Sequence, residues 1–354
     1  MAVVKANAYG HGMCEIAKQA ISSGAAYLSV ARIDEAVELR SAGIKAPILV
    51  LGYTPADDAD LLVANGLTAT VYALKDAADY SQKAHAQNAT IPIHLKVDTG
   101  MGRYGMMPKT AGVLTPSAAT DRDAIQQVIQ MTKLPGVRLE GILTHFAASD
   151  SREKTYSNQQ LTLFLDFISK LEQAGVSIPI KHAANSGAII DMPEAHLDMV
   201  RGGISMYGYY PSDEVDKARV DLKPAMTLKA RIVQLKKVPA GFHVSYGMTH
   251  QTEAPTTIAT VPVGYADGYS RLLSSRGQML VRGRRAPVVG RVCMDSTMLD
   301  VGHIPEVHVG DEVVVFGQQG EAVITVDELA ASLNTINYEV VSGIMKRVPR
   351  IYYR

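Results

Sequence analysis

Residues 1–12 read MAVVKANAYGHG. Four apolar residues end in Lys5, and a Tyr-Gly-His-Gly cluster follows. A short run that is apolar on both faces and closes on a charge is how a buried parallel strand meets the rim of an α/β fold. Two such architectures compete. A doubly wound sheet carries a G-x-G-x-x-G turn after its first strand, and the glycines of AYGHG lack that spacing. A (β/α)8 barrel needs no such turn and collects its reactive groups at the C-terminal ends of its strands, which is where Lys5 stands.

The pattern repeats outward from that stretch. Short apolar or β-branched runs recur at 26–30, 47–51, 68–72, 92–97, 139–145, 179–183 and 197–201. Helix-like segments lie between them. The clearest is 157–174, where Leu161, Phe164, Leu165, Ile168 and Leu171 share one face, Ser157 is placed to cap the start and Gly175 to stop the end. Eight strands in the first ~210 residues fit a barrel of the (β/α)8 type. Only seven helices can be counted. The reading therefore expects Met1 to sit inside the first strand, with an N-terminal barrel helix missing ahead of it. From about 215 the texture changes to Val-, Ile- and Thr-rich segments at 225–236, 257–263, 278–282, 286–292 and 311–316, separated by Gly/Pro turns. A short helix is expected at 326–334, begun by Thr325 or Asp327. The expectation is a barrel over 1–212 and a mainly β domain over 213–354.

Bulk properties narrow the function classes. With 354 residues, 47% of them hydrophobic, the chain is long enough for two domains with sizeable cores. Lys+Arg and Asp+Glu are both 35, which gives no electrostatic argument for nucleic acid or an anionic membrane as partner. No apolar run approaches the ~20 residues of a membrane span, and the N-terminal residues do not have the pattern of a signal peptide. Cys14 and Cys293 form no metal-ligand or disulfide pattern, so no metal is expected and a reducing cytoplasm fits best.

The polar residues at the strand ends form a coherent set. Lys5 and Tyr9 follow the first strand; Lys96, Asp98 and Arg103 lie in HLKVDTGMGR; His145 ends the sixth; Asn185 and Ser186 follow the seventh; Arg201, Gly202, Gly203 and Ile204 follow the eighth. A lysine at a dry strand end suits Schiff-base chemistry, because desolvation disfavours its charged form. Backbone N–H groups of RGGIS, with Ser186, suit a phosphate. Lysine plus phosphate cup is compatible with pyridoxal phosphate and with a phosphosugar aldolase. Taken singly, each feature has a plain structural reading: a salt-bridged lysine, a simple turn, a hydrogen-bonded core histidine. Their joint occurrence at successive strand ends is what favours chemistry.

The motifs VVKANAYGHG, HLKVDTGMGR, LTHFA, HAANSGA, VRGGISMYG, VSYG, VGYADG, GRVCMDSTMLDV and TINYEV…RVPRIYY, in that order and spacing, resemble those of the alanine racemase family. The resemblance covers nearly the whole chain. It implies a barrel plus β domain, pyridoxal 5'-phosphate as cofactor, and a homodimer whose active sites are shared between subunits. It further implies that Lys5 carries the cofactor and acts as one acid/base, with Tyr246 of a second subunit as the other. His145 and Arg201 would form a network with that tyrosine, Arg201 facing the pyridine nitrogen and supported by His182. Tyr9, Asn185, Ser186, Gly203, Ile204 and Tyr338 would hold the cofactor, chiefly its phosphate. Arg103 would lie by the cofactor oxygen and the substrate carboxylate, and Met294 would offer that carboxylate a backbone N–H. Tyr265 and Asp295 would line the entrance. In some members the lysine matching Lys96 is carbamylated.

What the resemblance implies also makes chemical sense. Racemisation removes a proton from one face of Cα and returns one to the other, which calls for two acid/base groups on opposite faces. Lysine and tyrosine both titrate near 10 when unperturbed, and a cationic neighbourhood lowers both. The expected function is interconversion of L- and D-alanine, supplying D-alanine for peptidoglycan. Two alternatives are a racemase for serine or a broader set of amino acids, which Tyr265 and Tyr338 disfavour by crowding, and a non-catalytic pyridoxal-phosphate-binding barrel protein. Such a protein would lack the β domain, Tyr246 and the CMD segment.

Overall fold

The computed structural model describes residues 1–108 and 121–353 and divides into two compact units, Met1–Ala8 with Gly12–Lys223, and Tyr9–His11 with Pro224–Arg354. The first unit is built on seven parallel strands in sequential order: β1 (Ala2–Val3), β2 (Leu28–Val30), β3 (Ile48–Val50), β4 (Thr68–Val71), β5 (Ile91–Lys96), β6 (Val137–Leu143) and β7 (Ile180–His182). The helices that follow them are α1 (Met13–Ser22), α2 (Ile33–Ser41), α3 (Ala59–Ala64), α4 (Leu74–Ala86), α5 (Asp121–Met131), α6 (Thr155–Gln173) and α7 (Ser186–Asp191). Strands β2 to β4 are wholly buried, as expected of parallel strands covered on both faces.

The eighth strand is the main departure from the sequence reading. Residues 197–201 are not a strand. Leu197 has φ 50, which an extended run cannot contain. The stretch beyond it still closes the sheet. Asp198 and Arg201 donate backbone N–H to Lys181 and Ala184, and Gly202 bridges Ala2 in parallel. The Met1 amino group donates to Val200 O at 2.9 Å. Among the described residues the barrel is thus seven strands plus a short irregular stave. Helix α6 also starts earlier than expected. Lys154 precedes it without a side-chain cap, Glu153 accepts from the Thr155 N–H at 2.8 Å, and Ser157 is buried inside the helix.

The second unit holds a three-stranded antiparallel sheet in the order β15 (Thr297–Asp300), β12 (Thr256–Val261), β9 (Gln234–Val238). A second sheet joins β14 (Arg284–Pro287), β13 (Gln278–Val281), β16 (Glu312–Gln319) and β17 (Ala322–Ile324), with β8 (Leu228–Arg231) on β16, and β10 (His243–Val244) pairs with β11 (His250–Gln251). The strand at 297–300 is not among the sequence expectations, and the one expected at 286–292 lies at 284–287. Helix α8 (Val326–Leu333) is capped by Thr325, whose side chain accepts from the Glu328 N–H at 3.0 Å. Helix α9 (Asn337–Ser342) follows. No helix among the described residues is long and apolar enough to cross a membrane.

Candidate active site

The turn after β1 is unusual in its handedness. Ala6, Asn7, Ala8 and Tyr9 all have φ between 52 and 54, a short left-handed helical turn with no glycine in it. L-residues avoid this region because Cβ crowds the next carbonyl, at roughly 1–2 kcal/mol per residue. Hydrogen bonds on several sides hold the turn. Val4 O accepts from Ala8 N at 2.8 Å, Asn7 O from Gly12 N at 2.9 Å, Asn7 Oδ1 from Met13 N at 2.9 Å, and Glu35 Oε1 from Ala6 N at 2.6 Å. Glu35 Oε2 also accepts the N–H groups of Ala31 and Arg32 at 2.8 and 3.1 Å. Lys5 is fixed at the head of this turn. Burial pulls its amine below the usual lysine range and the Arg103 charge adds to that, while Glu35 opposes both.

Arg103 is carried by a loop wound around one carboxylate. Asp98 Oδ1 accepts from Gly100, Met101 and Gly102 at 2.9, 2.9 and 3.1 Å, and Oδ2 from Arg103 N at 3.2 Å. Lys96, at the end of β5, is 5% exposed. Its Nζ lies 5.6 Å from the centroid of the Tyr104 ring, which in turn stacks on Tyr72 at 5.2 Å. Burial, then Arg103 and Arg201, lower Lys96 to about 8.

Arg201 lies deep in the barrel and has no carboxylate partner among the described residues. Its Nη1 donates to His182 O at 3.1 Å and stands 3.1 Å from His182 Nδ1. Its Nη2 donates to Thr144 O and Ala183 O, both at 2.8 Å, and stands 3.1 Å from His145 Nδ1. A guanidinium only donates, so both imidazoles must present a bare Nδ1. Burial, followed by the Arg201 charge, holds His145 and His182 well below the ordinary histidine range and therefore neutral. Burial lowers Arg201 itself to about 10, which leaves it a cation at neutral pH.

At the start of α7, Asn185 Oδ1 accepts from Ala188 N at 3.1 Å and from Ser149 Oγ at 2.6 Å. Next to it, Ser186 Oγ is approached by Gly203 N at 3.2 Å, Ser205 N at 3.3 Å and Ser205 Oγ at 3.1 Å. Ile204, between Gly203 and Ser205 in the chain, is fully buried. A hydroxyl oxygen has two lone pairs, so this point has more donors than acceptors, a condition that an anion such as a phosphate relieves.

In the second unit, Tyr9 and Tyr338 meet with ring centroids 6.1 Å apart, and burial raises Tyr9 to about 12. Tyr265 N and Ala266 N donate to the carbonyls of Cys293 and Met294 at 3.1 and 3.0 Å. A Cβ on Gly264 would lie 2.3 Å from both oxygens, so that approach requires glycine. Arg347 bridges Asp267 and Asp295 at 2.8 and 2.6 Å. Tyr246 is 70% exposed and Met294 53%. The structure thus gathers Lys5, Lys96, Arg103, His145, Asn185, Ser186, Arg201, Gly203 and Ile204 in the first unit. In the second it places Tyr9 with Tyr338, and Tyr265 with Met294 and Asp295. Glu35 and His94, both in contact with this machinery, were not singled out from the sequence. The one available signal for His94 is its position two residues before Lys96, on the same strand face.

Comparison with known proteins follows the same division. Residues 1–211 match the family described as alanine racemase, N-terminal domain, and residues 225–352 match alanine racemase, C-terminal domain. An alanine racemase of Desulfosudis oleivorans is 57% identical over 352 residues, covering 99% of this chain and 89% of its own. Alanine racemase 2 of Caldanaerobacter subterraneus is 50% identical over 353 residues, covering 99% and 87%. The solved structure of alanine racemase from Clostridium difficile 630 superposes with a TM-score of 0.91 at 42% identity, over 98% of this chain and 87% of that one. That of alanine racemase from Bacillus anthracis with bound L-Ala-P gives 0.90 at 38% identity, over 100% and 88%. With both halves matched and relatives this similar along its whole length, the chain belongs to the alanine racemase family.

Proposed function

We propose that this chain interconverts L- and D-alanine, with Lys5 and Tyr246 as the two acid/base groups, and that in the cytoplasm it supplies D-alanine for peptidoglycan. The observation that carries the reading is the placement of Lys5. It is a lysine with a lowered pKa, fixed on a strained turn beside the Arg103 charge, in the unit where Arg201 bonds two neutral imidazoles.

The family works with pyridoxal 5'-phosphate, and the residues here fit that group. The donor-rich point at Ser186, Gly203 and Ser205 suits its phosphate, with Tyr9 and Tyr338 as phenolic partners. Arg201 suits its ring nitrogen. When bound, the cofactor would acidify the Cα–H of the amino-acid substrate. Lys5 Nζ takes or returns the proton on one face, and the Tyr246 phenol does the same on the other. Arg201 retains its protons at neutral pH, so it donates to the ring nitrogen without protonating it. With His145 Nδ1 bare, His145 Nε2 carries a proton and is a donor toward the phenolic oxygen. Arg103 pairs with the substrate carboxylate, to which Met294 adds a backbone N–H. Tyr265 and Asp295 narrow the entrance and favour a small side chain.

Lys96 is a candidate for carbamylation. An amine titrating near 8 is partly free at neutral pH. Its lone pair forms an N–C bond to carbon dioxide and the nitrogen then loses a proton, which places an anion beside Arg103.

The exposure of Tyr246 and Met294 supports a homodimer in which these side chains serve a second copy. Co-expression of Lys5→Ala and Tyr246→Phe chains tests that arrangement. Each variant alone is inactive, and mixed dimers regain part of the activity with added pyridoxal phosphate. No recovery in dimers shown to be mixed would refute shared sites. Absence of D-alanine formation by the unmodified protein would refute the activity.

A further inference from the structure

Behind Arg201 lies a row of buried rings that the proposed chemistry does not use. His182 Nε2 is 2.9 Å from His94 Nδ1, and the two imidazoles meet edge to face with centroids 5.1 Å apart. His94 Nε2 is buried without a hydrogen-bond partner among the described residues, and Glu140 Oε2 lies 4.0 Å from it. The protons along this row have one consistent arrangement. Arg201 can only donate, so His182 accepts at Nδ1 and carries its proton on Nε2. That proton points at His94 Nδ1, which accepts in turn. The proton of His94 is therefore on Nε2 and faces the Glu140 carboxylate. Burial, with the Arg201 charge second, lowers His94 to about 3, so the ring stays neutral.

Two features of β6 are shaped to this row. The β5–β6 register slips by one residue: Ile93 pairs with Leu139, but His94 pairs with Gly141. Glu140 is the extra residue of a β-bulge, a device that re-aims a side chain. A Cβ on Gly141 would stand 2.5 Å from His94 Nδ1, so glycine is what leaves room for the ring. Around Glu140 stand the Tyr27 hydroxyl, donating at 3.4 Å, and Arg138 Nη1 at 3.5 Å. Tyr27 also bonds Thr68 at 2.7 Å.

We propose that His94 and Glu140 are positioning residues: His94 accepts the Nε2 proton of His182, Glu140 stands 4.0 Å beyond its far nitrogen, and together they hold the His182 ring in the tautomer that Arg201 requires, and so keep Arg201 as a rigid, donor-only face toward the cofactor ring. The last clause rests on Arg201 facing that ring, as proposed above; the tautomer chain does not.

The test uses the pyridoxal-phosphate-loaded enzyme with 15N-labelled histidine. In the unsubstituted enzyme, His182 and His94 both show a protonated Nε2 and a bare Nδ1. His94→Asn retains an acceptor for His182 and keeps its tautomer, with kcat within about threefold. His94→Phe keeps a ring but no acceptor. There the buried His182 Nε2–H has no partner, so the ring turns away from Arg201 and loses its single tautomer; the visible absorption of the bound cofactor shifts, and kcat falls about tenfold with little change in KM, the loss one misplaced hydrogen bond brings. Glu140→Gln leaves the His94 proton divided between its two nitrogens, and carries the test if His94→Phe does not fold. His182 protonated on Nδ1, or equal losses in His94→Asn and His94→Phe, would overturn the chain itself. A tautomer that moves while the absorption and kcat stay unchanged would instead overturn its link to the cofactor, and with it the placing of Arg201.

Discussion

Glu35 is the sharpest point at which to perturb the lysine turn. Four left-handed residues store about 4–8 kcal/mol relative to an ordinary backbone, and Glu35 reaches into the turn from another element to bond Ala6 N. In Glu35→Gln one oxygen becomes an NH2 group, which cannot accept. Turning it toward Ala31 and Arg32 would lose two bonds, whereas turning it toward Ala6 loses one. The amide therefore faces Ala6, and donor meets donor. A hydrogen bond to a charged acceptor is worth about 1.5–3 kcal/mol. This one is accessible to water, so the low end applies, and Glu35→Gln should cost about 1.5 kcal/mol in denaturant unfolding. It also removes the charge that raises the Lys5 pKa, so Lys5 should titrate lower than in the unsubstituted protein. The pH dependence of Lys5 labelling by an amine-reactive reagent, in protein stripped of pyridoxal phosphate, reads that shift. Activity should fall at least tenfold as the amine loses its fixed position. Unchanged stability together with a Lys5 midpoint that stays or rises would refute the reasoning.

Lys96 should make stability depend on pH. Its amine titrates near 8 in the folded protein against a reference of 10.5, so between those values the unfolded chain binds more protons and stability rises with pH. The gain is at most about 3 kcal/mol, and a Lys96→Met variant that still shows it would sink the assignment. Ser186→Ala should weaken pyridoxal-phosphate binding about tenfold by dismantling the donor cup, read by fluorescence titration; an unchanged Kd would place the phosphate elsewhere. Asp98→Ala frees four backbone N–H groups and loosens the Arg103 loop. The KM for alanine should rise about fivefold with a smaller effect on kcat, and equal KM values would dissociate that loop from carboxylate binding.

The barrel is legible in the sequence because its strands are short and apolar on both faces, so hydrophobic runs mark them without help from periodicity. The stave at 197–202 is not, because its conformation answers to long-range demands. Arg201 turns inward to the carbonyls of Thr144, His182 and Ala183, and Leu197 adopts positive φ. The site residues at strand ends are legible for the same reason as the strands. The handedness of KANAY is hidden: alanine favours a right-handed helix, and acceptors that include Val4, Asn7 and Glu35 override it. His94 is hidden differently. Its partner His182 is 88 positions away, and nothing local distinguishes it from any buried imidazole. In the second unit, strands of two to eight residues between tight turns leave boundaries blurred, which is why 297–300 escapes a pattern reading.

The bulge at Glu140 also has a meaning in terms of parity. Opposed residues of neighbouring parallel strands face the same side, and the bulge takes up Glu140 without disturbing that match: Ile93 stays opposite Leu139, and His94, Leu95 and Lys96 stay opposite Gly141, Ile142 and Leu143. Without a bulge, a strand of the same length would set His94 against Glu140 and turn every later residue of β6 to the other side. The irregularity is what lets one strand carry an extra carboxylate and still keep the facing of the residues that follow it.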